Sequence, residues 1–258
     1  MKRVFLLIVG LLISFSAVAQ QVDLKVVSYN IRFGEVGSMR QIGRFLKGEA
    51  PDFVALQECD WNAHRPQTPY QNECCFVNEL AAETDMFGLY GKTINFCGGY
   101  YGIGLLSKYP ILKSERVLLP HQPRTEQRAM LIADVELPQG QVITFVSVHL
   151  EFVTVEARRE QLVFINKYFK NWEHPLILAG DFNGCPDGEE IKEFEKKGWT
   201  SLSNNESTYP VVAPEEKIDY IYYRGREAIT IKELKPMTEV KLSDHFPIKA
   251  VFSLEFEE

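Results

Sequence analysis

The cysteines and histidines of this chain follow no zinc-type spacing, positive charge is not in excess, and past the first fifteen residues there is no long apolar run. Each absence closes a class of function. The five cysteines (Cys59, Cys74, Cys75, Cys97, Cys185) match no finger or ribbon pattern. Five is odd, so at least one thiol is left over, and adjacent Cys74 and Cys75 would close a strained ring; one disulfide among the rest is compatible with the sequence. Lys and Arg number 28 against 35 Asp and Glu, a net charge of −7. A broadly basic nucleic-acid surface is therefore excluded, although a bound cation and a few local arginines can still hold phosphate. No repeat, low-complexity segment or linker divides the chain, and a single domain is expected.

What is present begins with a leader. Lys2 and Arg3 precede an apolar run from Val4 to about Phe15, then Ser16-Ala17-Val18-Ala19. This is the layout of a secretory signal peptide cleaved after Ala19, giving a secreted or periplasmic protein of residues 20–258. The run is shorter than the roughly 20 residues that span a bilayer, so no stable membrane anchor is expected. Losing the leader's two positive charges takes the net charge to −9.

The remainder alternates strand-like and helical patterns. Strands are expected at Leu24–Tyr29, Phe53–Leu56, Met86–Phe96, Gly102–Ser107, Ile111–Leu119, Arg128–Leu137, Gln141–His149, Leu176–Ala179, Ile218–Tyr223, Ile229–Leu234 and Phe246–Leu254. Helices are expected at Ser38–Lys47, about Asn72–Glu83, Val155–Trp172 and Glu189–Lys196. Leu162, Ile165, Phe169 and Trp172 form a stripe that reads as core. The polar, aperiodic stretch from Cys59 to Gln71 reads as a long surface loop.

Chemistry-capable residues recur at the ends of the apolar strands: Asn30, Glu58, His149, Asp181, Asn183, Asp219, and the pair Asp244-His245. Each alone has an ordinary reading, such as a turn cap at Asn30, a solvated charge at Glu58 or an Asx turn at Asp181–Asn183. Together they supply four carboxyl groups, two carboxamides and two imidazoles at strand ends, where a rigid scaffold builds sites. Oxygen donors of this kind suit Mg²⁺ or Mn²⁺, which takes only one or two protein carboxylates and keeps several waters.

The local contexts are more specific than the residue types. Ser28-Tyr29-Asn30-Ile31-Arg32, Leu56-Gln57-Glu58, Tyr101 to Ser107, Val148-His149-Leu150, Gly180-Asp181-Phe182-Asn183, Ile218-Asp219-Tyr220-Ile221 and Ser243-Asp244-His245-Phe246-Pro247 run in order along the whole exported chain. In this it resembles the endonuclease/exonuclease/phosphatase superfamily, which holds DNase-I-like nucleases, abasic-site endonucleases, neutral sphingomyelinases, inositol-polyphosphate 5-phosphatases and deadenylases. The resemblance implies an α/β four-layer α-β-β-α sandwich, two mostly antiparallel mixed sheets face to face with helices outside. It also implies roles: Glu58 as principal metal ligand with Asn30 and Asp244 close by, Asp219 orienting His245, His149 across the phosphate, and Asp181 with Asn183 positioning the attacking water. Arg128 matches a phosphate-contacting arginine of some members. In the abasic-site branch the His149 position is usually Tyr, which sets this chain nearer the other branches. DNase-like members pair this histidine with a Glu, yet Gly102–Ser107 holds no acidic residue.

The expected activity is hydrolysis of phosphate esters with Mg²⁺ or Mn²⁺, first as a phosphodiesterase or nuclease acting on nucleic acid. The alternatives are a lipid-headgroup phosphodiesterase, an inositol- or sugar-phosphate phosphatase, and, remotely, an inactive binding module. Whether His245 or Asp181 is the general base stays open. No obligate protein partner is evident. Trp61 and Arg65 are expected to overhang the site and bind substrate; failing that, selectivity falls to Thr208–Glu216.

Overall fold

The computed structural model describes residues 20–256, so the expected signal peptide over residues 1–19 lies outside the described residues. No helix among the described residues is long and apolar enough to cross a membrane. In chain order the elements are β1 (Gln20–Asn30), α1 (Met39–Glu49), β2 (Phe53–Trp61), α2 (Phe76–Thr84), β3 (Phe87–Phe96), β4 (Gly99–Ser107), β5 (Ile111–Leu118), β6 (Ala129–Glu136), β7 (Val142–His149), α3 (Val155–Tyr168), β8 (Leu176–Asp181), α4 (Glu189–Glu195), β9 (Thr200–Ser201), β10 (Asp219–Arg224), β11 (Ala228–Pro236) and β12 (Ile248–Phe256).

Two six-stranded sheets result, ordered β11-β12-β1-β2-β4-β3 and β5-β6-β7-β8-β10-β9. Each has one parallel pair near its centre, β1 with β2 and β7 with β8, and antiparallel neighbours around it. Those pairs are made by strand–helix–strand crossovers through α1 and α3. Their carboxyl ends therefore leave each sheet on the same edge, where open α/β sheets place ligands.

Burial fixes four layers. Val26, Phe53, Leu105, Phe145 and Ile221 belong to a core between the sheets, with the Phe53 and Phe145 rings 5.0 Å apart. Ile42, Leu46, Phe76 and Leu80 hold α1 and α2 against the first sheet. Leu162, Ile165, Phe169 and Phe194 hold α3 and α4 against the second. The expected sandwich is thus the observed one.

Several element boundaries differ from the sequence reading, among them the third helix, which ends at Tyr168 rather than Trp172. The strand at Phe53 continues to Trp61, so Cys59–Trp61 is sheet rather than loop. The first helix runs to Glu49 and is capped by Ala50 in the left-handed region (φ 48°), not ended by Gly48. The second starts at Phe76. All five cysteines are free, and burial raises the pKa of Cys59, Cys74, Cys75 and Cys185, which keeps these thiols protonated and inert.

Candidate active site

A cavity of about 640 Å³ opens at the strand ends. Of the eleven residues singled out, Glu58, Arg128, His149, Asp181, Asn183, Asp244 and His245 line it, and Asn30 and Asp219 bond to those. Both sheets contribute. Asn30 ends β1 and Glu58 sits at the bulge within β2 of the first, and Asp244-His245 precede β12. His149 and Asp181 end the paired β7 and β8, and Asp219 opens β10 directly opposite Asp181.

Backbone irregularity aims two of these groups. The β2–β4 register shifts between Leu56 and Cys59, and within that bulge Glu58 takes φ 61°. A bulge re-aims side chains at a sheet rim, and a non-glycine residue in the left-handed region is strain kept at functional sites. At Gly180 a Cβ would lie 2.0 Å from the Val148 carbonyl oxygen. Only glycine lets β8 approach β7 closely enough to bring Asp181 beside His149.

Asp181 is the hub. Its Oδ2 accepts from Asn30 Nδ2 at 3.0 Å, and His149 Nε2 and His245 Nε2 lie 3.6 and 3.8 Å away. Its Oδ1 accepts from the Asn183 backbone N–H at 2.8 Å. Burial first, and the neighbouring Asp219 second, push its pKa up from 3.8 to about 7, against the lowering pull of His245, Asn30 and Asn183. His245 donates from Nδ1 to Asp219 Oδ2 at 3.0 Å. Burial alone would lower its pKa, but Asp219, Asp181 and Asp244 together raise it to about 10, so the ring is held as imidazolium.

His149 is the opposite case. Arg128 Nη1 reaches its Nδ1 at 3.1 Å. A guanidinium can only donate, so Nδ1 is the unprotonated nitrogen and Nε2 carries the hydrogen. Burial, then Arg128 and His245, drive the pKa of this ring well below its ordinary value. With Arg128 on Nδ1, the ring is kept neutral with one N–H facing Asp181 and the cavity.

The carboxylates near Glu58 fit a hard cation. Burial raises the Glu58 pKa and Asp244 raises it further, against Asn30, His245 and Arg128. Such an undercompensated carboxylate is what a divalent ion neutralises. Asp244 is held by Arg32 Nη1 at 2.6 Å and Ser243 Oγ at 3.2 Å. Asn30 lies between these carboxylates and Asp181. Its Oδ1 accepts the Arg32 N–H at 3.0 Å, and its amino group donates to both Glu58 (3.1 Å) and Asp181 (3.0 Å). It presents nitrogen, not oxygen, to the carboxylates and braces them. Asp181, Asp219 and His245 also bring donor atoms within 4.8 Å of one another. Binding there through His245 Nε2 would require the imidazolium to give up the proton on that nitrogen, whereas Glu58 and Asp244 are carboxylates of the same lining.

Two of the expected substrate contacts, Trp61 and Arg65, are not among the lining residues. Arg65, only 8% exposed, is bound bidentately to Asp60 at 2.5 and 3.0 Å. Its guanidinium lies 3.9 Å over Phe33 and 4.3 Å from Phe96. Trp61 packs against Tyr90, ring centroids 5.0 Å apart and ring planes tilted by 44°. Both pin the segment after β2 to the body of the protein, and neither lines the cavity. Tyr209 and Glu216, from the segment Thr208–Glu216, do line it. The sequence reading missed Glu126, Phe152, Arg158 and Glu190 in the lining. Only the alternation Glu126-Gln127-Arg128 at a strand start offered a signal for any of them.

Residues 27–245 match the sequence profile of the Endonuclease/Exonuclease/phosphatase family. The uncharacterised protein YbhP of Escherichia coli (strain K12) is 26% identical over 254 residues, covering 91% of this chain and 98% of that protein. The fold is similar to an endonuclease/exonuclease/phosphatase from Beutenbergia cavernae DSM 12333, with TM-score 0.75 and 20% identity over 91% of this chain and 72% of that one. It is also similar to the mannosyl-6-phosphatase of Bacteroides thetaiotaomicron VPI-5482, with TM-score 0.70 and 18% identity over 89% and 99% of the two chains.

Proposed function

Because this chain belongs to the Endonuclease/Exonuclease/phosphatase family, we propose that it is an exported, divalent-metal-dependent hydrolase of phosphate esters. The observation that carries the reading is Asp181, placed between the Nε2 atoms of one neutral and one charged imidazole at 3.6 and 3.8 Å. A carboxylate whose pKa is lifted to about 7 is matched to accepting a proton from water at neutral pH. His245 already holds its proton and is the poorer base; as an imidazolium it stabilises negative charge developing on phosphorus oxygens. Asp219 fixes that ring, and His149 donates its Nε2–H to a phosphate oxygen. Asn183, whose amino group is anchored to the Leu150 carbonyl at 3.0 Å, borders the space where water approaches. A Mg²⁺ or Mn²⁺ held by Glu58 and Asp244 would neutralise the charge that develops as water attacks in line.

The phosphatase among the similar structures supports the ester class, and so does the donor set. The sequence's first preference, a nuclease, draws no specific support from the lining. Export rests on the composition of residues 1–19. The test is hydrolysis of p-nitrophenyl phosphate and bis-p-nitrophenyl phosphate by chelator-treated protein, with Mg²⁺ or Mn²⁺ restored. Metal-restored turnover of either supports the reading, and metal-independent or absent turnover of both refutes it. A mature protein beginning at Gln20 in the periplasmic or culture fraction tests export.

A further inference from the structure

We propose that the cavity takes an ester bearing a single phosphate whose alcohol carries hydroxyl groups and no second negative charge, a sugar or polyol phosphate rather than a polynucleotide. This rests on the hydrolase reading above and adds the substrate class.

The charge of the lining carries it. Arg128 and Arg158 are the only Lys or Arg side chains among the described residues of the lining, and each is matched to a carboxylate. Arg128 Nη1 lies 2.9 Å from Glu126 Oε1, and Arg158 Nη2 lies 2.8 Å from Glu190 Oε1. Beyond the groups used for metal and proton transfer, Glu126, Glu190 and Glu216 put three more carboxylates on the walls. A polynucleotide brings a charge with every nucleotide, and channels that thread one rely on a groove of unmatched cations. Here the phosphates flanking the reacting one would meet Glu126 and Glu216 with no free arginine to hold them.

The same carboxylates suit hydroxyl donors. Arg158 Nε at 2.9 Å and Nη2 at 2.8 Å converge on Oε1 of Glu190, a residue of the lining, and leave its Oε2 outside that ion pair. The wall beside it is Gly188, where a Cβ would sit 3.0 Å from that Oε2. At the rim Phe152 is 62% exposed, with Val153 and Val155 also exposed, and Tyr209 contributes a second ring. Contiguous exposed apolar surface next to a polar cleft marks a ligand-binding surface, and the C–H face of a sugar ring packs on such an aromatic.

The test compares kcat/KM with Mg²⁺ for a hexose 6-phosphate, glycerol 3-phosphate, phosphocholine and a single-stranded oligonucleotide. Calorimetric binding of the hexose phosphate and the oligonucleotide to the Asp181→Asn protein runs beside it. The hexose phosphate is expected to be favoured at least about tenfold in both, the scale of rim-charge effects on association. Glu216→Lys should narrow that preference by about as much, and Gly188→Ala should raise KM for the hexose phosphate more than it lowers kcat. Preference for the oligonucleotide or for phosphocholine, or a ratio unmoved by Glu216→Lys, overturns the inference. Turnover of no ester at all, aryl phosphates included, overturns the hydrolase reading instead, and the binding order on Asp181→Asn still decides the ligand class.

Discussion

Replacing Asp181 by asparagine should make the metal-free protein more stable and nearly inactive in one change. The carboxyl is 1% exposed, and its pKa is raised from 3.8 to about 7 by burial and by Asp219. At about 1.4 kcal/mol per pH unit, the ionised group destabilises the fold at neutral pH by at most about 4 kcal/mol. Asparagine keeps an oxygen for the Asn183 N–H, now 2.8 Å from Oδ1. It also turns an amino group toward Asn30 Nδ2, 3.0 Å from the present Oδ2. Two donors facing each other cost about 1–3 kcal/mol, so the expected gain is about 1–3 kcal/mol, or about 2–4 °C in Tm for each kcal/mol. The sign with pH follows from proton counts. Between pH 3.8 and about 7 the folded protein keeps a proton on Asp181 that the unfolded chain has released. Wild-type stability therefore falls as pH rises through that window and levels off above it, while the variant lacks this contribution to the slope. Calorimetric Tm values across the window, in chelator, measure this directly. Turnover should fall by about 10²–10⁴, the contribution of a positioned base. Parallel Tm profiles for the two proteins, or a variant with more than a tenth of wild-type activity, would refute the reasoning.

Glu58→Gln should abolish Mg²⁺ binding in calorimetry and lower turnover by at least about a hundredfold; near-normal activity sinks its assignment as the metal ligand. His245→Ala should be nearly dead, with Asp219→Asn adding little to it, because the two act as one unit; kinetic losses that multiply independently would detach Asp219 from that role. In Arg128→Met, ¹⁵N shifts of His149 should move from the Nε2–H tautomer toward a mixture, and an unchanged spectrum would show that something else fixes the ring. Arg65→Ala should cost about 3–5 kcal/mol in chemical denaturation by stranding buried Asp60, and the folded fraction should keep its KM for bis-p-nitrophenyl phosphate. A raised KM would return Arg65 to the substrate.

The parts of the site that were legible were those in which residue type and strand end coincide. Glu58, His149, Asp181 and His245 each close an apolar run or follow one, and the sheets deliver them to a common edge. What could not be read was who bonds to whom. Arg128 sits 21 residues from His149 in sequence, and nothing local says that β6 and β7 pair so as to put a guanidinium on Nδ1. The Asn30 carboxamide gives no sign in sequence that its amino group bonds both Glu58 and Asp181. Trp61 and Arg65 failed for another reason: the strand carrying Glu58 does not stop there, because the bulge absorbs the irregularity and pairing with β4 resumes at Cys59. Composition suggested a polar loop, but the Arg65–Asp60 pair made those polar residues internal.

That the site draws on both sheets makes it a seam, and a seam exists only when both sides are sewn. Asn30 spans it, giving one hydrogen to Glu58 of the first sheet and another to Asp181 of the second, and His245 spans it again by donating to Asp219. A chain with either sheet formed but not docked would hold only part of the donor set, and His245 would lack Asp219 and Asp181, the charges from across the join that raise its proton affinity. Return of turnover during refolding should then lag behind the recovery of β-sheet signal and keep time with the docking of the two halves. An enzyme assay on this protein is in effect a clock for its final assembly step.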